Sequence, residues 1–174
     1  GKSCNWSKKD RQRHPINCVN WKDANDFAAF KGARLPSEAE YEYAATSKGK
    51  NKPYPWDKHT AACDKAVMYG SGGHGCGSGG TMPVCSKTEG NTDQGLCDMA
   101  GNVWQWVQDT WHDSYVGAPT NGSAWEDAGS YRVVRVGSFG IEVAGYLRAD
   151  DRFIVDPGDR YGGVGFRLAR VRRD

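Results

Sequence analysis

No cysteine follows Cys97 and no lysine follows Lys87 in this chain of 174 residues. None of the cysteines makes a C-x-x-C pair, so zinc ribbons and thioredoxin-like redox motifs find no support. No apolar run approaches the ~20 residues of a membrane-spanning helix, which excludes a direct membrane span of that kind. The opening "GKSCNWSKKD" lacks the apolar core of a signal peptide, and the chain is expected to be soluble. Net charge is scarce as well. Lys plus Arg number 23 and Asp plus Glu 21, and the resulting +2 gives no electrostatic reason to expect nucleic acid as a partner. Histidines are few, at His14, His59, His74 and His112, and their scatter shows no metal-ligand spacing, so surface or capping roles are the plainer reading.

Glycine and tryptophan, by contrast, are plentiful, at 23 and 7. Glycine makes turns and irregular backbone, while tryptophan anchors cores and interfaces that hold such loops still. A length of 174 residues suits one domain, 1–174, with one core. The six cysteines (Cys4, Cys18, Cys63, Cys76, Cys85 and Cys97) are even in number and suggest a disulfide framework, for which fifteen connectivities exist. Proximity favours Cys4 with Cys18, leaving the other four to tie down the central loops. Reduced, buried thiols are the alternative.

Two helices are readable. "NWKDANDFAAFKG" places Trp21, Ala24, Phe27 and Ala28 at helical spacing with Gly32 at the C-terminal cap. "LPSEAEYEYAA" offers Ser37 as N-cap and Glu40 three residues on, a capping box. "YGSGGHGCGSGGTMP" reads as a loop, flexible or pinned by a disulfide, because no strand, GK[ST] or following helix frames it as a phosphate cradle. Strand patterns follow in "VWQWV" after a tight Gly101-Asn102 turn, in "SYRVVRVGSF" and in "GVGFRLARVR". Helices first and short strands later predict an α+β domain with an antiparallel sheet.

The ordered phrases "HPINCVNWKDA", "RLPSEAEYEYAA", "PYPWD", "GLCDMAGNVWQWVQD", "RVGSF", "LRADDR" and "GVGFRLA" resemble the formylglycine-generating-enzyme (sulfatase-modifying-factor) family from about His14 to Arg170. That resemblance implies a C-type-lectin-like fold. The family's strand and helix upstream of the His-Pro phrase are missing here, which reads as a shortened member or a trimmed chain. Its oxidases use two copper-binding cysteines just after the phrase matched by "GSF", and here no cysteine stands there. Catalytic residues are therefore expected to be absent, with a divergent metal-dependent oxidase or oxygenase as the alternative. The family's calcium loop resembles "DMAGNVWQW", with oxygens from Asp98 and Gln105 and carbonyls from Gly101 and Val103. Glutamine at 105, where the family often has glutamate, predicts a weakened or empty site, in which Asp98 caps a turn. No cofactor is expected to be required.

Between the framework residues Gly137, Ser138, Phe139, Leu147, Arg148, Arg152, Arg160, Gly165, Phe166 and Arg167 lie Gly140, Ile141, Glu142, Val143, Gly145, Tyr146, Asp151, Phe153, Ile154, Val155, Asp156, Gly158, Asp159, Tyr161, Gly162 and Gly163. This interleaving resembles the variable region of proteins diversified by retroelements, in which template adenines are miscopied and asparagine codons scatter into a restricted residue set. Of those positions, Glu142 alone falls outside that set. The implied function is binding of a protein or cell-surface ligand by rigid aromatic anchors amid adaptable glycines and aspartates. A cell-surface, secreted or virion-associated location fits such a role, and the oligomeric state is left open. The competing reading makes "RFIVD" a strand with Phe153 and Val155 facing the core, and "DPGDRYGG" a turn.

Overall fold

The computed structural model describes residues 3–57, 60–127 and 129–170; His59 lies outside them. Helix α1 is Trp21–Phe30, capped by Asn20, whose side chain accepts the Asp23 N–H. Gly32, just past its end, sits at φ +61°, the left-handed conformation expected of a helix stop. Ala24 and Ala28 are buried and Trp21 donates its indole N–H to the Val107 carbonyl at 2.8 Å, whereas Phe27 is 45% exposed and meets Phe166 edge-on. Helix α2, Glu38–Ala45, carries the capping box in full: the Ser37 hydroxyl accepts the Glu40 N–H and the Glu40 carboxylate accepts the Ser37 N–H.

Strands β1 (Trp104–Thr110), β2 (Arg132–Arg135), β3 (Arg152–Val155) and β4 (Val164–Phe166) form one sheet in the order β3-β2-β1-β4. The expected antiparallel sheet is corrected to a mixed one. β1–β2 and β2–β3 are antiparallel, but β4 runs parallel to β1 in the register Trp104↔Val164 and Trp106↔Phe166. A parallel pair needs a long crossover, and the excursion from β1 through β2 and β3 supplies one. Close approach at this edge requires Gly165, because a Cβ there would lie 2.4 Å from the Ile16 carbonyl oxygen.

Core residues lie on both faces of the sheet. Val107 and Val133 pack with Tyr41, Ala45, Met99 and Leu147 on one side. Trp106, Val134 and Val155 pack with Ala24 and Leu35 on the other. Both faces of β1 and β2 are therefore covered, Val107 and Val133 on one side and Trp106 and Val134 on the other.

All six cysteines are paired, as Cys4–Cys18, Cys63–Cys76 and Cys85–Cys97. The first is the pair favoured by proximity, and reduced thiols are ruled out in this structure. Cys63–Cys76 pins the glycine-rich loop. Gly75 N–H donates to the Phe139 carbonyl, Tyr69 N–H donates to the Ile141 carbonyl, and the His74 ring stands edge-on to both Tyr69 and Phe139. The loop therefore braces the backbone from which the candidate binding residues begin.

Candidate functional site

Exposure separates framework from candidate residues only in part along residues 137–167, because the framework residues Arg148 and Arg160 are exposed as well. Gly137, Ser138, Leu147, Ala149 and Gly165 are buried. Val143, Tyr146, Phe153 and Tyr161 are about half exposed, and Glu142, Gly145, Asp156 and Gly158 are open to solvent. Each aromatic stands on a different support. Tyr146 lies in the 3-10 turn Ala144–Leu147, seated because Leu147 plugs into the core. Phe153 is on β3, an edge strand, with its ring 5.8 Å from Trp104. Tyr161 sits before β4 and donates its hydroxyl to Asp159 at 2.7 Å. The "DPGD" segment is the turn its sequence announces, closed by Asp159 N–H to the Asp156 carbonyl, with the Asp156 carboxylate accepting the Gly158 N–H.

Four candidates need correction. Val155 is 7% exposed and belongs to the core beneath β2, so it offers no side chain to a ligand. Ile141 is part-buried and packs against the core cluster around Leu147. At Gly162 an added Cβ would fall 2.6 Å from the Ser3 Cβ, and at Gly163 3.1 Å from the Ser138 Oγ, so neither has room for an unhindered side chain. The reading that buried both Phe153 and Val155 is likewise half right. The two share a face, but an edge strand covers only Val155, and Phe153 and Ile154 remain exposed.

Asp151 is partly buried, and one carboxylate oxygen, Oδ2, has no hydrogen-bond partner. Burial, opposed by Arg135 and reinforced by Asp150, pushes its pKa up to about 6. The folded state thus binds an extra proton between the ordinary carboxylate range and pH 6, so stability falls as pH rises through that window. Asp151→Asn should raise the urea midpoint at pH 8 and leave it unchanged at pH 4. An equal shift at both pH values would refute the assignment.

The calcium-loop residues are brought together but do not fit the ion. Asp98 Oδ2 accepts the Cys85 N–H at 2.9 Å, and the Gly101 carbonyl accepts the Val103 N–H. Gln105 donates its amide to the Asp98 carbonyl at 2.8 Å, while its Oε1 accepts from Arg167 Nε. Arg167 also donates to the Cys97 and Asp98 carbonyls, at 3.0 and 3.1 Å. A guanidinium already lies among the oxygens that calcium would need, and its charge repels a divalent cation. Cys85, Cys97 and Asp98 also cluster, yet the two sulfurs are bonded to each other and offer no thiolate. Sequence reasoning missed Arg167 in this role; the only local hint is its position two residues beyond Gly165, the partner of Gln105 in the β1–β4 pair. His14 is engaged with Thr81, His74 with aromatic rings and His112 with Asp127, so these three form no cluster.

The sulfatase-modifying factor enzyme 1-like domain matches residues 1–172. The formylglycine-generating enzyme of Streptomyces coelicolor is 33% identical over 171 residues, covering 91% of this chain and 53% of that enzyme. This chain thus spans about half the length of that curated relative. Among solved structures, PvdO from Pseudomonas aeruginosa superposes with a TM-score of 0.77 at 35% identity, over 90% of this chain and 61% of its own. Treponema denticola variable protein 1 superposes with a TM-score of 0.75 at 23% identity, over 95% of this chain and 73% of its own, a likeness of fold. A match across nearly the whole chain, carried by an α+β, C-type-lectin-like fold, makes this protein a member of the sulfatase-modifying factor enzyme 1-like domain family.

Proposed function

We propose that this chain is a non-catalytic ligand-binding protein whose surface within residues 140–163 is diversified by a retroelement to meet varied protein or cell-surface ligands. One observation carries the reading. Nine of the sixteen interleaved residues are exposed, among them Tyr146, Phe153 and Tyr161 at 46–52%. Aromatic rings offer rigid contact area at small entropic cost, and a scaffold bears the cost of ordering the loops that carry them. Treponema denticola variable protein 1 lends support by its fold. Three disulfides suit an oxidising location such as the cell surface, the secreted fraction or a virion.

The test begins with labelled protein on an array of glycans and cell-surface proteins. Against a target so found, Phe153→Ala and Tyr161→Ala should each weaken binding roughly fivefold or more while leaving the melting temperature unchanged. Binding untouched by both would remove residues 140–163 as the site.

Relationship to the Streptomyces coelicolor formylglycine-generating enzyme favours a second reading, a divergent metal-dependent oxidase. Every cysteine here is in a disulfide, so no soft thiolate pair is free to hold copper. Stoichiometric copper binding with oxidation of a cysteine peptide would establish that second reading instead.

A further inference from the structure

Beyond the 140–163 surface, the outer face of α2 and the loop after β1 enclose a groove of about 400 Å³, lined among others by Glu42, Tyr43, Thr46, Asp109, Tyr115 and Trp125. A volume near the lower end of the ~300–1,000 Å³ typical of ligand sites suits a small molecule. Tyr43 and Tyr115 are 57% and 54% exposed, and Trp125 is half-buried. His112 stacks on one face of Trp125 and Arg152 lies 4.7 Å from the Tyr115 ring centre, so each ring has a second face that neither neighbour uses.

Charge decides what belongs there. Three carboxylates, Glu38, Glu42 and Asp109, meet two guanidiniums, Arg135 and Arg152. Glu38 and Glu42 are paired with them, whereas Asp109, 5% exposed, makes no ion pair among the described residues. The nearby Arg132 feels the charge of Asp109 and is also engaged by the Gln108 carbonyl, the Trp21 ring and, at 3.9 Å, Glu126. With Arg132 and Glu126 included, four carboxylates face three guanidiniums, and the groove and its surroundings carry one excess negative charge behind aromatic walls, the arrangement that attracts a cation.

Hydrogen bonding then selects among cations. Asp109 spends one oxygen on the Glu38 N–H at 2.6 Å and the other on the Trp125 N–H at 2.9 Å. Glu38 receives four donors, from Arg135, Arg152 twice and Tyr115. Only Glu42, which gives Oε2 to Arg135, keeps an oxygen open. A primary ammonium or guanidinium entering this groove would find one open carboxylate oxygen, at Glu42, and otherwise only neutral hydroxyls such as those of Thr46 and Ser123, a poor exchange for its water. A quaternary ammonium has no N–H to satisfy and responds to field and ring faces alone. We infer that this groove is a binding site for a small quaternary ammonium ligand of the choline type.

Calorimetric titration of the intact protein with choline, 3,3-dimethylbutan-1-ol (its neutral isostere) and ethanolamine tests this. Saturable one-to-one binding of choline is expected, with the isostere and ethanolamine each at least about tenfold weaker. Tyr43→Leu, an exposed helix position, and Glu42→Gln should each weaken choline binding, with circular dichroism melts verifying the fold. Phe153→Ala and Tyr161→Ala should leave it unchanged, so this site and the 140–163 surface fail or stand separately. No choline binding, equal binding of the neutral isostere, or indifference to Tyr43→Leu would each overturn the assignment.

Discussion

Glu38→Ala is expected to lower the free energy of unfolding by about 3–5 kcal/mol, the cost of removing one partner from a buried ion pair. The reason is the company Glu38 keeps. Its Oε1 accepts from Arg135 at 2.6 Å, Arg152 at 2.7 Å and the Tyr115 hydroxyl at 2.9 Å, and its Oε2 accepts from Arg152 at 3.0 Å. Arg135 is entirely buried in the sheet, and there burial works against its charge while Glu38 and Glu42 hold it protonated. Burial, with the Glu38 charge, pushes the Tyr115 hydroxyl up to about 12, so that group stays a donor. Alanine at 38 leaves Arg135 with only the partly exposed Glu42 as a carboxylate partner, and leaves Arg152, the first residue of β3, with the His112 carbonyl and the Trp111 and Tyr115 rings in place of its carboxylate. Guanidinium chloride unfolding measures the loss, and a change under 1 kcal/mol would show that the cluster is not what ties α2, β2 and β3 together. Because β3 carries Phe153, the same variant should also disorder the proposed binding edge, visible as faster amide exchange at residues 152–155.

Arg167→Leu is the second large effect, expected at about 3 kcal/mol. Hydrogen bonds from charged groups are worth roughly 1.5–3 kcal/mol each, and this change strips donors from Gln105 Oε1 and from the Cys97 and Asp98 carbonyls. Asp98, whose pKa burial raises, would also lose the guanidinium that lowers it. The companion expectation concerns calcium. With Arg167 in place, EDTA and millimolar calcium should both leave the melting temperature unchanged. A calcium-dependent rise in the unsubstituted protein would show that the oxygens rearrange to take the ion after all. The double variant Arg167→Leu with Gln105→Glu restores the family's carboxylate and removes the competing cation, and it alone should gain stability from calcium.

How far the sequence foretold this depended on the distance between partners. Ser37 and Glu40 are three residues apart, and the capping box they form follows from local geometry, as does the Asp156–Asp159 turn. Cys4 and Cys18 close a short loop, and proximity sufficed. Strand β4 was legible as a strand, yet its parallel pairing with β1 was not, since direction is set by a connection through residues 110–163. The same holds for Phe153 and Val155. Alternation placed them on one face, but which is covered depends on β3 lying at the edge of the sheet. Arg135 stands between Val134 and Val136, and nothing local marks it as buried, since its partners Glu38 and Glu42 lie 97 and 93 residues away. Arg167 reaches Gln105 across 62 residues, so the loop "DMAGNVWQW" could be recognised without revealing the side chain that fills it. Gly162 and Gly163 fitted the restricted residue set by type, and only their closeness to Ser3 and Ser138 shows that they are held small by packing.

We propose that the interleaved positions such as Tyr146, Phe153 and Tyr161 vary, while the framework residues between them, the exposed Arg148 and Arg160 included, do not. This central claim is tested most directly by sequencing the genomic DNA beside this gene. The expected result is a second near-copy of the stretch encoding residues 140–163, adjoining a reverse transcriptase gene and differing from the first only where the copy carries adenine. Those differences should fall on codons such as those for Tyr146, Phe153 and Tyr161, and spare those for Leu147, Ala149 and Arg160. Absence of any such copy, or differences spread equally over framework codons, would contradict the account and leave this stretch a fixed loop of a single protein.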